Sequence, residues 1–109
     1  MTGRRSWALL AAALALASCG GEPLDATSTE ACGAVSAWAV SGRPADQRDA
    51  LVARLGELVG RSGSDVLTDP YRRFRDTVAS DELDDAAVAE AGGAFLRACS
   101  DHGWEPPAA

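Results

Sequence analysis

The stretch GGAFLRACSDHGW, residues 92–104, closes the helical part of this 109-residue chain and carries one of its three cysteines. Phe95 and Cys99 stand four residues apart, the spacing of one helical face, and Val88 and Ala91 continue that face upstream. Gly103 supplies the left-handed residue that stops a helix, and Trp104 the apolar contact that follows a Schellman stop. Cys99 therefore belongs to the last turn of the final helix. The number of helices before it decides which end of the molecule it occupies.

From Thr27 onward the pattern is helical throughout, without a period-two strand signal. Thr27-x-x-Glu30 reads as a capping box, followed by Cys32, Val35, Trp38 and Ala39 on one face. Gly42 ends this helix and Pro44 suits the first turn of the next. The second helix presents Leu51, Val52, Leu55, Leu58 and Val59 and stops near Gly63. A third starts at Ser64 or at Asp69-Pro70 and aligns Leu67, Tyr71, Phe74 and Val78. The fourth starts at Ser80 or Asp81 and turns Val88, Ala91, Phe95 and Cys99 inward.

The expected fold is all-α: a small antiparallel four-helix bundle over residues 29–104, with a disordered tail at 105–109. In an up-down-up-down arrangement, Cys32 in the first turn of helix one shares an end with Cys99 in the last turn of helix four. Three helices would place them at opposite ends, beyond the ~5.5 Å between Cα atoms that a disulfide needs.

The amino-terminal segment has the three parts of a secretory signal: MTGRR with two arginines, the apolar WALLAAALALA, and small residues before Cys19. The apolar run is about half the roughly 20 residues needed to span a bilayer. Leu16-Ala17-Ser18-Cys19 resembles the lipobox of bacterial lipoprotein precursors. That resemblance implies a signal peptide at 1–18 removed by signal peptidase II, and a diacylglyceryl thioether on Cys19. It also implies a new amino terminus open to acylation and a lipid-anchored place on the extracytoplasmic face of the bacterial cell membrane. Two chains on one residue anchor stably where one does not. The rival is an ordinary secretory signal with a chance cysteine. Residues 19–28 then form the lipidated cysteine and a flexible tether. With Cys19 given to lipid, Cys32 and Cys99 remain as a pair in a compartment where disulfides persist, in agreement with four helices.

Loss of residues 1–18 leaves eight arginines, no lysine, and sixteen acids, a net charge of −8. Abundant Ala, Arg and Gly suggests a high-GC bacterium. The acidic balance argues against nucleic acid as a partner and against a domain lying flat on anionic lipid.

No motif names a reaction. Ser100-Asp101-His102 holds the letters of a catalytic triad, but a triad is assembled in space, and neighbours at a helix end diverge by about 100°. Asp81, Glu82, Asp84 and Asp85 lack the alternating ligands and central glycine of an EF-hand loop; as first-turn acids they complement a helix dipole. Arg72, Arg73 and Arg75 could meet an anionic partner, but Asp69 and Asp76 stand at i,i+4 spacing, the pattern of a solvated face. Gly56-x-x-x-Gly60 lies among Arg54, Glu57 and Arg61 and is no membrane-helix motif. Gly92-Gly93 either admits a close neighbour, with Trp38 the obvious candidate, or marks a kink where a ligand enters. Neither a metal nor any other cofactor is expected. The function expected is a non-catalytic interaction module that binds another envelope protein. The alternative is a small-ligand carrier or sensor with an apolar pocket near Trp38, Gly92 and Gly93, and a hydrolase is the weakest reading.

Overall fold

The computed structural model describes residues 23–107. The signal peptide, Cys19 with the residues up to 22, and the last two residues of the tail lie outside the described residues. Four α-helices follow one another: α1 (Ala26–Val40), α2 (Arg48–Arg61), α3 (Thr68–Val78) and α4 (Asp85–Asp101), with a 3-10 turn, Ala45–Gln47, before α2. The described residues contain no strand. α1 packs on α2 and α4, and α3 packs on the same two helices, so the four close into a ring of sequential neighbours. The all-α four-helix arrangement is the one the periodicity predicts.

The core repeats the expected faces. Cys32, Val35 and Trp38 of α1 meet Leu51, Leu55 and Leu58 of α2, Phe74 of α3, and Val88, Ala91, Phe95 and Cys99 of α4. Ala39, Val52, Val59, Tyr71 and Val78, expected on the same faces, form a half-buried margin around them. Both bounding helices end as their glycines dictate. Gly103, at φ +89°, donates to Ser100 O at 3.0 Å while Trp104 N donates to Cys99 O at 3.0 Å, a complete Schellman motif. Gly42, at φ +91°, ends α1 the same way, with Arg43 N donating to Trp38 O at 3.0 Å.

The helix starts differ from expectation. α1 begins at Ala26, not after a Thr27–Glu30 capping box, because Asp25 is the N-cap: its Oδ1 accepts from Ser28 N at 2.7 Å. Glu30 is left to pair with Arg54 of α2 at 3.2 Å. The tether expected to run through Ser28 therefore stops short of it, since Asp25 is already built into the domain and Ser28 is buried. Pro44 precedes the 3-10 turn and does not enter α2. α2 stops at Arg61, two residues before Gly63. α4 begins at Asp85, well past Ser80 and Asp81, because Ser80 Oγ accepts from Glu82 N at 3.2 Å and Asp84 Oδ1 caps Ala86 N at 3.0 Å.

Cys32 and Cys99 are joined, their Cα atoms 6.1 Å apart and both residues fully buried. The bond ties the first helix to the last across a sequence separation of 67. In the chain-entropy picture such a loop contributes about 4 kcal/mol by restricting the unfolded chain, against roughly 3–5 kcal/mol from a core this small. Replacing both cysteines by alanine is expected to lower the unfolding free energy by roughly 4 kcal/mol, read as a large fall in the denaturant midpoint under non-reducing conditions.

Candidate functional site

The sequence pointed to Trp38, Gly92 and Gly93 as a pocket or partner face. Trp38 and Gly92 do come together, but as packing. A Cβ on Gly92 would stand 3.3 Å from Trp38 Cζ3 and 3.6 Å from Phe74 Cε1, so the absent side chain lets the indole lie against α4. Trp38 meets Phe74 edge to face at 5.6 Å, and its Nε1 donates to Pro44 O at 3.1 Å. The indole is therefore fixed from three sides by α3, α4 and the α1–α2 connection. Gly93 takes no part: its Cβ position is near Arg97 only, on the outer side of α4. The kink alternative is not needed, because α4 runs unbroken through both glycines.

On the other side of Trp38, α1 and α2 leave a surface groove of about 400 Å³ lined by Ala34, Ala37, Trp38, Ala50, Leu51 and Arg54. Small side chains on both helices keep its walls low, and the Arg54–Glu30 pair adjoins it. Chemically it offers an apolar strip edged by the Ser41 hydroxyl, the Gln47 amide and the Arg54 cation, with no carboxylate, histidine or cysteine in its lining.

The most connected polar group is one that the sequence reading passed over. Besides capping α1, the Asp25 carboxylate accepts from Ser62 Oγ at 2.8 Å and Gly63 N at 2.9 Å through Oδ2. Ser62 and Ser28 hydroxyls stand 2.9 Å apart. One carboxylate thus joins the start of α1 to the end of α2. The backbone hydrogen bond from Ser28, then those from the Ser62 and Ser28 hydroxyls, hold its pKa down at about 2 against an ordinary 3.8. The clue was present as Asp25-x-x-Ser28, an N-cap spacing overshadowed by Thr27 and Glu30.

The remaining candidates have ordinary surroundings. Arg73 crosses to Glu90 of α4 at 3.1 Å, Arg75 pairs with Asp76 at 3.0 Å and lies over the Tyr71 ring, and Arg72 approaches Asp69 at 4.0 Å. The surface face is as expected but the partners are not, because Arg73 points across to α4 instead of along α3. Ser100 and Asp101 occupy the last turn of α4, and His102 is its C-cap residue. No group of three or more His, Cys, Asp or Glu among the described residues is placed to hold a metal ion.

Two measurements test these assignments. Because the Asp25 pKa is depressed on folding, its contribution is complete above the unfolded value near 3.8 and is lost as pH falls toward 2. Stability should decline over that window, and Asp25→Asn should be less stable at neutral pH with the decline reduced, as followed by denaturant unfolding at stepped pH. For the glycine pair, Gly93→Ala should gain about 0.5–1 kcal/mol from helix propensity. Gly92→Ala should gain nothing or lose stability, since the hemmed-in Trp38 cannot yield, and its near-ultraviolet dichroism should change.

In comparisons with known proteins, no family model matches the chain, and no curated protein and no solved structure matches it.

Proposed function

We propose that this chain is an exported lipoprotein, anchored through Cys19 to the extracytoplasmic face of a bacterial membrane, whose helical domain acts by contact with another envelope protein and not by catalysis. The observation that carries the reading is the Cys32–Cys99 bond. Such a bond belongs in an oxidising compartment, and it leaves Cys19 as the single cysteine outside it, in the sequence context of a lipobox. No helix among the described residues is long and apolar enough to cross a membrane, so attachment in this reading falls to the acyl chains.

Contact is favoured over enclosure because Trp38, Phe74 and Gly92 fill the space between α1, α3 and α4. The carrier reading retains one support, the groove between α1 and α2 with Trp38 and Leu51 in its lining.

Globomycin is expected to accumulate the uncleaved precursor, and Cys19→Ala to abolish labelling by a radioactive fatty acid and release the protein from membranes. A Cys19→Ala protein that still labels and sediments with membranes would exclude the lipoprotein reading.

A further inference from the structure

We infer that the connection between α3 and α4, residues 80–84, is a docking knob, with Leu83 entering an apolar socket on a protein partner whose rim carries lysine or arginine. The inference rests on the interaction-module reading and names where that contact lies and what chemistry meets it.

The first argument is a lost explanation. Acids in the first turn of a helix are accounted for by its dipole. α4 starts only at Asp85, so Asp81, Glu82 and Leu83 stand outside it, and Asp84 alone serves as its cap. Neither Asp81 nor Glu82 forms an ion pair among the described residues. Leu83 is 50% exposed with an acid pair on either side in sequence.

The second argument is position. Among the described residues, the large apolar side chains left most open to solvent are Val40, 85% exposed, and Leu83. α1 ends at Val40, and with antiparallel neighbours its end lies where α4 begins. Both residues therefore crown the same end of the bundle, the end opposite Asp25.

The third argument is preorganisation. Ser80 Oγ accepts from Glu82 N, Asp84 caps α4, and Asp85 is held by Arg48, whose side chain is only 9% exposed. Asp85 itself is 87% exposed, so a buried cation on α2 anchors the base of an otherwise open connection. A segment already held in shape loses little conformational freedom on binding. Arg48, Arg73 and Arg75 are paired with Asp85, Glu90 and Asp76, and Asp81 and Glu82 are exposed. Such a rim selects a cationic protein surface and repels nucleic acid and anionic lipid.

The test uses the full-length lipoprotein in its native membranes. A benzoylphenylalanine photoprobe in place of Leu83 is expected to capture a discrete protein, with the crosslinked peptide lying beside lysines or arginines. For charge, the probe is kept and Asp81→Lys is combined with Glu82→Lys. The capture yield should fall roughly tenfold or more, while circular dichroism and the melting temperature stay unchanged because both residues are exposed and outside the helices. An unchanged yield in the charge-reversed protein, or a contact peptide without cationic residues, overturns the knob. A probe in place of the exposed Ala53 that captures a protein while the one at 83 captures none also overturns it, yet leaves the module reading standing. Capture at neither position overturns both.

Discussion

Four short helices enclose few buried side chains, and their ring has one junction that no connecting turn secures: α1 against α4. The Cys32–Cys99 bond makes that junction covalent. Everything else in the bundle is arranged around its closure. The turns hold α1 to α2, α2 to α3 and α3 to α4, whereas the last contact joins residues at opposite ends of the sequence and carries the largest loop entropy. Once it is made, Trp38 on α1 is brought against Gly92 on α4, and Phe74 completes the contact from α3. The aromatic cluster and the crosslink thus serve one seam at two levels along it.

The two ends of the bundle are built on different principles. At the end where α1 begins, one carboxylate gathers the Ser28 and Gly63 backbone N–H groups and the Ser62 hydroxyl, and the charge is satisfied by neutral donors. At the other end a buried arginine reaches a carboxylate that is almost wholly in solvent. Arg48 Nε finds no acceptor there among the described residues, so the guanidinium is held with incomplete pairing. One end is closed by a saturated hydrogen-bond network; the other is closed by an ion pair whose carboxylate stands in solvent, beneath exposed apolar residues.

How much of this was legible from the sequence divides along physical lines. Helical faces were readable because burial repeats: Leu51, Leu55 and Leu58, or Val88, Ala91, Phe95 and Cys99, each state the same face several times. The Gly42 and Gly103 stops were readable because few residues adopt positive φ, although Arg43 does so at φ 55°. Helix starts were harder. Asp25, Thr27, Ser80, Asp81 and Asp84 are all acceptable caps; Asp25 is singled out by Ser62, distant in sequence, and Asp84 by a turn at Ser80 that delays the helix. For the same reason the candidate site was only half legible. Gly92 and Gly93 are identical as letters, and only the rotation of α4 gives Trp38 to one and the Arg97 side chain to the other.

The placement of the crosslink has a mechanical consequence. Any pull exerted on the chain ahead of Pro23 enters the domain at Asp25 and can unravel α1 only as far as Cys32. Beyond that residue the load passes through the sulfur bridge into the final turn of α4, and the segment between the two cysteines is bypassed. A bundle held from one terminus would ordinarily peel helix by helix; this one bears tension as a closed loop hung from a single covalent point.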